Sequence, residues 1–267
     1  MNKITTILSL LLTGLLLTAC DKIDEDERYT PAPSYTPARS ILIEDYTGQK
    51  CANCPFATNT LHSLTEYFGD SVVCVAIHGG SFGVNEPNGL ATAEARSYYE
   101  KLNINSQPIG VINHRGFTTN FENWTKEVCN LITTPSTVSM SARAWVEGDE
   151  LKVSVNSSAS DEMDAIMKVW LTEDGLVANQ NLPVEWGGGT DKNYTHNHVY
   201  RKSVADVEGV KVQLSPESVK REFSCSLKST YKMPYNVANL YVVAFVYTEK
   251  DGVLKVLRQK VEASVTE

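Results

Sequence analysis

Two cysteines three positions apart, in Cys51-Ala52-Asn53-Cys54-Pro55, are the residues of this chain best placed for covalent chemistry. A C-x-x-C pair can close into a disulfide, and thiol–disulfide exchange opens it again when one sulfur is reachable as a thiolate. The run Ser40-Ile41-Leu42-Ile43-Glu44-Asp45-Tyr46 before the pair is strand-like, and Ala57, Leu61, Leu64 and Phe68 after it recur at helical spacing. The pair therefore stands at a strand-to-helix junction. There the first N–H groups of a helix lack partners and the helix dipole adds partial positive charge, and both favour a thiolate at Cys51. Two plainer readings stand beside exchange. One is a static disulfide that staples strand to helix in a secreted protein. The other is zinc, which needs two further ligands; there is no second C-x-x-C and no H-x₃₋₅-H, so no metal is expected.

The elements that must position the pair fall into two patterns. Residues 40–135 alternate between strand and helix: strand Ser40–Tyr46, helix from Cys54 to Phe68, strand Val72–His78, helix around Leu90–Leu102, strand Ile109–Asn113, and a last helix carrying Phe121, Trp124, Val128 and Leu131 on one face. From Ser136 the period changes to two, with Val138, Met140, Ala142, Ala144 and Val146 on one face. Gly148-Asp149 turns the chain, and strand-like runs follow at 165–172, 199–204, 222–228, 240–248 and 253–261. Seven short strands with turn signals predict an antiparallel sandwich over residues 136–267.

The chain ends and composition bound the compartment. Lys3 and the apolar run Ile4–Thr18 form a signal peptide over residues 1–19, too short to span a bilayer. Leu17-Thr18-Ala19-Cys20 resembles the bacterial lipobox, which implies cleavage before Cys20 and a lipid on that cysteine as the membrane anchor. Residues 20–39 read as a tether: the acidic run Asp21–Glu27, then Pro31, Pro33 and Pro37. An acidic run after a lipidated cysteine is similar to the surface-export signals of Bacteroidetes lipoproteins, and otherwise is a solvated spacer. The formal net charge of −8 becomes −9 once residues 1–19, with their one charge on Lys3, are removed. With no basic stripe, nucleic acid is not an expected partner. Cys74, Cys129 and Cys225 read as buried free thiols rather than as a disulfide framework.

The first pattern resembles a thioredoxin-like fold in three features: a strand, then C-x-x-C, then a helix; Asp45 six residues before Cys51; and Pro108 before a strand. The fold expected is thus an α/β thioredoxin-like domain (40–135) followed by an all-β immunoglobulin-like sandwich (136–267). Leu42 to Pro55, behind a lipobox and before a sandwich, resembles the Omp28-related outer-membrane lipoproteins of Bacteroidetes. The resemblances imply roles. Cys51 attacks a partner disulfide and Cys54 resolves the mixed disulfide. Asp45, buried below the pair with a raised pKa, accepts the proton of Cys54. A cis Gln107–Pro108 bond leaves the backbone of Gln107 open to an extended substrate, and the Pro108 ring keeps metal away. No cofactor beyond a redox-active Cys51–Cys54 disulfide is implied, and the partners would be protein thiols or disulfides. Ala-Asn between the cysteines and Lys50 before them depart from thioredoxin pattern. The competing function is a non-catalytic surface lipoprotein whose sandwich binds an envelope protein or a glycan.

Other candidates read more plainly. His78 reads as a satisfied strand-end residue and Glu44 as facing away from the cysteines. Glu173–His198 reads as a long Gly-rich link whose Asp191, His196 and His198 are solvated. Trp186 is read either as an exposed contact or as folded back onto the sandwich.

Overall fold

The computed structural model describes residues 35–228 and 234–263. The readings on the signal peptide, on Cys20 and on the tether up to residue 34 lie outside the described residues.

Strand β1 (Ile41–Thr47) is buried along its whole length, as an apolar strand covered on both faces must be. Helix α1 (Cys54–Phe68) starts with Pro55 in its first turn, where a missing N–H costs nothing, and buries Ala57, Leu61, Leu64 and Phe68. Gly69, at φ 56, ends it. Strand β2 (Val72–His78) returns parallel to β1. Helix α2 (Ala93–Lys101) is capped by Thr92, whose hydroxyl accepts the Ala95 N–H at 3.0 Å. Strand β3 (Ile109–Ile112) pairs antiparallel with β1, and helix α3 (Trp124–Ile132) follows. Ten strands make up the rest: β4 (Val138–Glu147), β5 (Glu150–Ala159), β6 (Met163–Glu173), β7 (Leu176–Asn181), β8 (Thr190–His196), β9 (Val199–Ser203), β10 (Val210–Leu214), β11 (Val219–Ser226), β12 (Leu240–Thr248) and β13 (Gly252–Glu262).

These strands correct the fold expected from the sequence. In place of a thioredoxin-like α/β domain followed by a separate immunoglobulin-like sandwich, one mixed sheet of 11 strands runs in the order β11-β5-β4-β13-β12-β6-β9-β2-β1-β3, with β10 on β6. The physical reason is an edge that does not stay open. β9 lies between β6 and β2, antiparallel to the first and parallel to the second, and the Ala76 N–H donates to the His198 carbonyl at 2.8 Å. Side chains follow the backbone. Leu42, Val75, Ala95 and Tyr99 from the first half share one core with Trp170, Tyr200 and Phe245 from the second. A second core lies among β1, α1, β2 and α3, and a third among the C-terminal strands.

The segment expected to be a solvated link is a two-stranded hairpin of its own, β7 paired with β8. The sequence reading also missed β10, which pairs antiparallel with β6.

The two chain halves are also stitched at the start of β1. The Ser40 hydroxyl donates to the Val256 carbonyl at 2.7 Å and accepts the Val256 N–H at 3.0 Å, all buried. The Asn113 amide donates to the Val253 carbonyl at 3.0 Å, and the Val253 N–H donates to the Asn113 carbonyl at 2.8 Å. Ser40→Ala strands both backbone groups of Val256 in a dry environment. It is expected to lower stability by about 1–3 kcal/mol. Urea unfolding followed by tryptophan fluorescence and by far-ultraviolet dichroism should give one coincident transition, shifted as a whole in the variant. Two separate transitions, with only the first shifted, would contradict the shared sheet.

Candidate functional site

Alternation along β1 assigns its carboxylates to opposite faces. Asp45 sits on the face of Ile41 and Ile43, which pack under α1, and Glu44 on the face of Leu42 and Tyr46. The chain leaving β1 turns at Gly48. A Cβ there would meet the Phe82 carbonyl carbon at 2.6 Å, so only glycine lets the 79–83 loop close over it. Lys50 N–H then donates to the Phe82 carbonyl at 2.9 Å and Cys51 N–H to the Gly48 carbonyl at 3.0 Å.

Cys51 and Cys54 are joined as a disulfide. Both are buried, at 3% and 1% exposure. The cover is the β7–β8 hairpin. Gln180 Nε2 donates to the Cys51 carbonyl at 2.8 Å, Asn181 Nδ2 to the Lys50 carbonyl at 3.0 Å, and the Asn181 N–H to the Gln49 carbonyl at 2.8 Å. Gln49 replies, its Nε2 donating to the Asn179 carbonyl at 3.1 Å. Beyond these bonds the Trp186 ring packs edge-on against Phe56 of α1 at 5.1 Å while staying 42% exposed, so of the two readings exposure agrees with the structure and folding back onto a sandwich does not. The hairpin is held to the cysteine loop at its backbone as well as by its side chains.

Beneath the disulfide lies a cavity of about 20 Å³, bounded by Asp45, Cys54, Thr58, His78, Tyr194 and His196 among others. Asp45 Oδ1, His78 Nδ1 and His196 Nε2 are buried around it without a hydrogen-bond partner among the described residues. Burial pushes the Asp45 carboxyl up to about 8. Burial also lowers His196 to about 4, against carbonyl bonds to residues 178 and 179 that favour its charged form. His78 lies well below the ordinary histidine value, first through burial and then through the neighbouring His196, whose ring stands 5.1 Å away. At neutral pH the site thus holds an uncharged acid and two uncharged imidazoles.

The structure brings Cys51, Cys54 and Asp45 together. The Gln107–Pro108 peptide is cis, and the pairing of Ile109 with Tyr46 places it across from the end of β1. The Gln107 side chain is engaged elsewhere, donating to the Tyr99 hydroxyl at 2.6 Å and the Gly79 carbonyl at 3.2 Å. His78 is no satisfied strand end, and His196 is no solvated loop residue. Both line the cysteine cavity, while His198 faces Asp174 at 3.6 Å. Gln180 and Tyr194 carried no sequence signal beyond a weak alternation in the hairpin strands. Cys74, Cys129 and Cys225 are free thiols, and only Cys74 is fully buried. No group of three metal-ligating side chains occurs among the described residues.

A family model described as outer membrane protein Omp28 matches residues 95–265, more than half of the chain. No curated protein matches it. Among solved structures, HBP35 of Porphyromonas gingivalis is similar at a TM-score of 0.66 and 12% identity, over 88% of this chain and 80% of that one. A protein from Agrobacterium tumefaciens is similar at 0.50 and 15% identity, over 87% and 99%. A domain of the outer membrane lipoprotein Omp28 from Porphyromonas gingivalis aligns at 0.36 and 16% identity, over 49% and 93%, too weakly to carry an argument. At such identities the first two likenesses are of fold alone.

The cavity has a pH signature. A carboxyl raised from 3.8 to about 8 holds its proton more tightly in the folded chain, so stability falls as pH climbs through that interval. The two lowered histidines act oppositely and lose stability as pH drops below 6.5. Stability should therefore peak near the ordinary histidine value of 6.5 and decline toward pH 8. The slope on that side is at most about 1.4 kcal/mol per pH unit. Asp45→Asn is expected to remove the decline above pH 6.5 and keep the acid-side loss, as read from urea midpoints at pH 5, 6.5 and 8.

Proposed function

We propose, since the chain belongs to the Omp28 family of outer membrane proteins, that it is a non-catalytic outer-membrane lipoprotein whose C-x-x-C is a structural bridge. In this reading Cys20 carries the lipid anchor, residues 21–34 hold the folded part off the membrane, the chain from Tyr35 on being packed into that part, and the acidic run after Cys20 directs it to the cell surface. The Cys51–Cys54 bond fastens the end of β1 to the start of α1. One observation carries the reading: the attacking sulfur that exchange needs belongs to a residue 3% exposed, under a hairpin hydrogen-bonded to the carbonyl of that same residue. A macromolecular disulfide cannot reach a sulfur so covered. Binding, to an envelope protein or a glycan, is then the work left to the folded part.

Asp45 favours a second reading. A buried carboxyl whose Oδ1 lacks a partner, in the cavity of Cys54, can take that thiol's proton in its ionised form, which becomes populated as pH approaches 8. With the pair reduced and the hairpin displaced, the Cys51 thiolate would attack a partner disulfide, forming a mixed disulfide and releasing one partner thiolate. Cys54, deprotonated by Asp45, would then break the mixed disulfide, restoring the Cys51–Cys54 bond and leaving the partner reduced.

Equilibration with dithiothreitol buffers, with thiol labelling of Cys51 and Cys54 as readout, separates the two. A structural bridge should show a potential below about −300 mV. The same value is expected for Gln180→Ala if the hairpin only covers the bond, with faster reduction. A potential above about −300 mV in the unaltered chain assigns the pair to exchange instead.

A further inference from the structure

We infer that a cleft on the opposite face of β1 from the cysteines binds a small organic monoanion, a carboxylate on a flat apolar body, with Lys168 as its counter-ion. The cleft holds about 270 Å³, the scale of a small aromatic acid, and Tyr46, Tyr98, Leu102 and Tyr247 give it apolar walls. Lys168 comes from the middle of β6 and is only 4% exposed. Its ammonium stands 5.0 Å from the centre of the Tyr98 ring, 5.9 Å from Trp170 and 6.0 Å from Tyr247. Among the described residues no oxygen accepts a hydrogen bond from it. Three ring faces attract a cation but offer its N–H donors no acceptor, so those donors are left to water in the cleft or to a ligand that displaces it.

The nearest buried carboxylate is already engaged. Glu44 Oε1 is bound to His114 Nδ1 at 2.6 Å, and Oε2 accepts the Tyr46 hydroxyl at 3.0 Å. At the rim Lys101 pairs with Glu208, and Arg115 and Glu249 also line the cleft. The cleft lining carries three cations, Lys101, Arg115 and Lys168, and two carboxylates, Glu208 and Glu249, while Glu44 and Asp206 act on Lys168 from outside the lining. One buried ammonium amid apolar walls suits a single carboxylate. A phosphate would call for a fork of donors that the cleft does not offer. The inference does not depend on whether the disulfide is structural or exchanging, since β1 separates the two sites.

Calorimetric titration of the full chain tests it, with benzoate, phenylacetate and indole-3-acetate each set against its neutral amide. At least one acid should bind roughly tenfold or more tighter than its amide, the size of one charge-assisted hydrogen bond. In Lys168→Met the acid should fall to the level of the amide. In the unaltered chain the same acid, and not its amide, should move the indole N–H resonance of Trp170, which reads the site even if the variant does not fold. Absence of binding by all three acids, equal affinity of acid and amide, or a preference that survives in Lys168→Met overturns the inference.

Discussion

The pairing of β9 with β2 is the interaction on which the rest of the architecture turns. It is brief, a parallel step at Ala76 and Val199. It nevertheless converts what would be the edge of a small α/β sheet into the interior of an eleven-stranded one. Because β8 ends only two residues before β9 begins, fixing β9 beside β2 also draws the preceding hairpin against the cysteine loop. The cover over the disulfide is thus a consequence of the sheet and not a separate device. Gln180 and Asn181 complete it by satisfying carbonyls of the Lys50–Cys51 turn that helix α1 cannot reach.

β1 distributes the polar chemistry. Two adjacent carboxylates, Glu44 and Asp45, are both buried, and the pleat sends them to unlike surroundings. Glu44 finds an imidazole and a phenol, so its oxygens are matched. Asp45 finds no partner and keeps its proton into the neutral range. One dipeptide therefore serves both the cavity beneath the disulfide and the aromatic cleft on the far side. Either substitution would be felt on one face and little on the other.

Much of this was legible in the chain, and the limits have a physical cause. Cys51, Cys54 and Asp45 could be read because their relation is local: a strand, a turn and the first turn of a helix fix it within ten residues. The ends of α1, β2 and β12 follow from apolar spacing and the glycine stops. The union of the two halves into one sheet was not legible, because a strand's sequence records how its faces are covered and not which neighbour it pairs with. Hairpin β7–β8 read as a link for a related reason. It is polar on most of both faces, its cover being hydrogen bonds to the cysteine turn rather than apolar packing. Lys168 hid in plain view between apolar residues of β6, two of its three aromatic neighbours, Tyr98 and Tyr247, coming from distant segments.

Ser40 and Val256 clasp each other across 216 positions of sequence, next to the first strand of the fold. In a chain made from its N-terminus, β1 can meet β2 and β3 early, but the Ser40 clasp must wait for Val256 to emerge. That clasp closes only after residue 256 is available, and contacts so distant along the chain make closure slow. In a family of outer membrane proteins, such a late clasp leaves the start of the fold unlocked while the rest of the chain is still arriving.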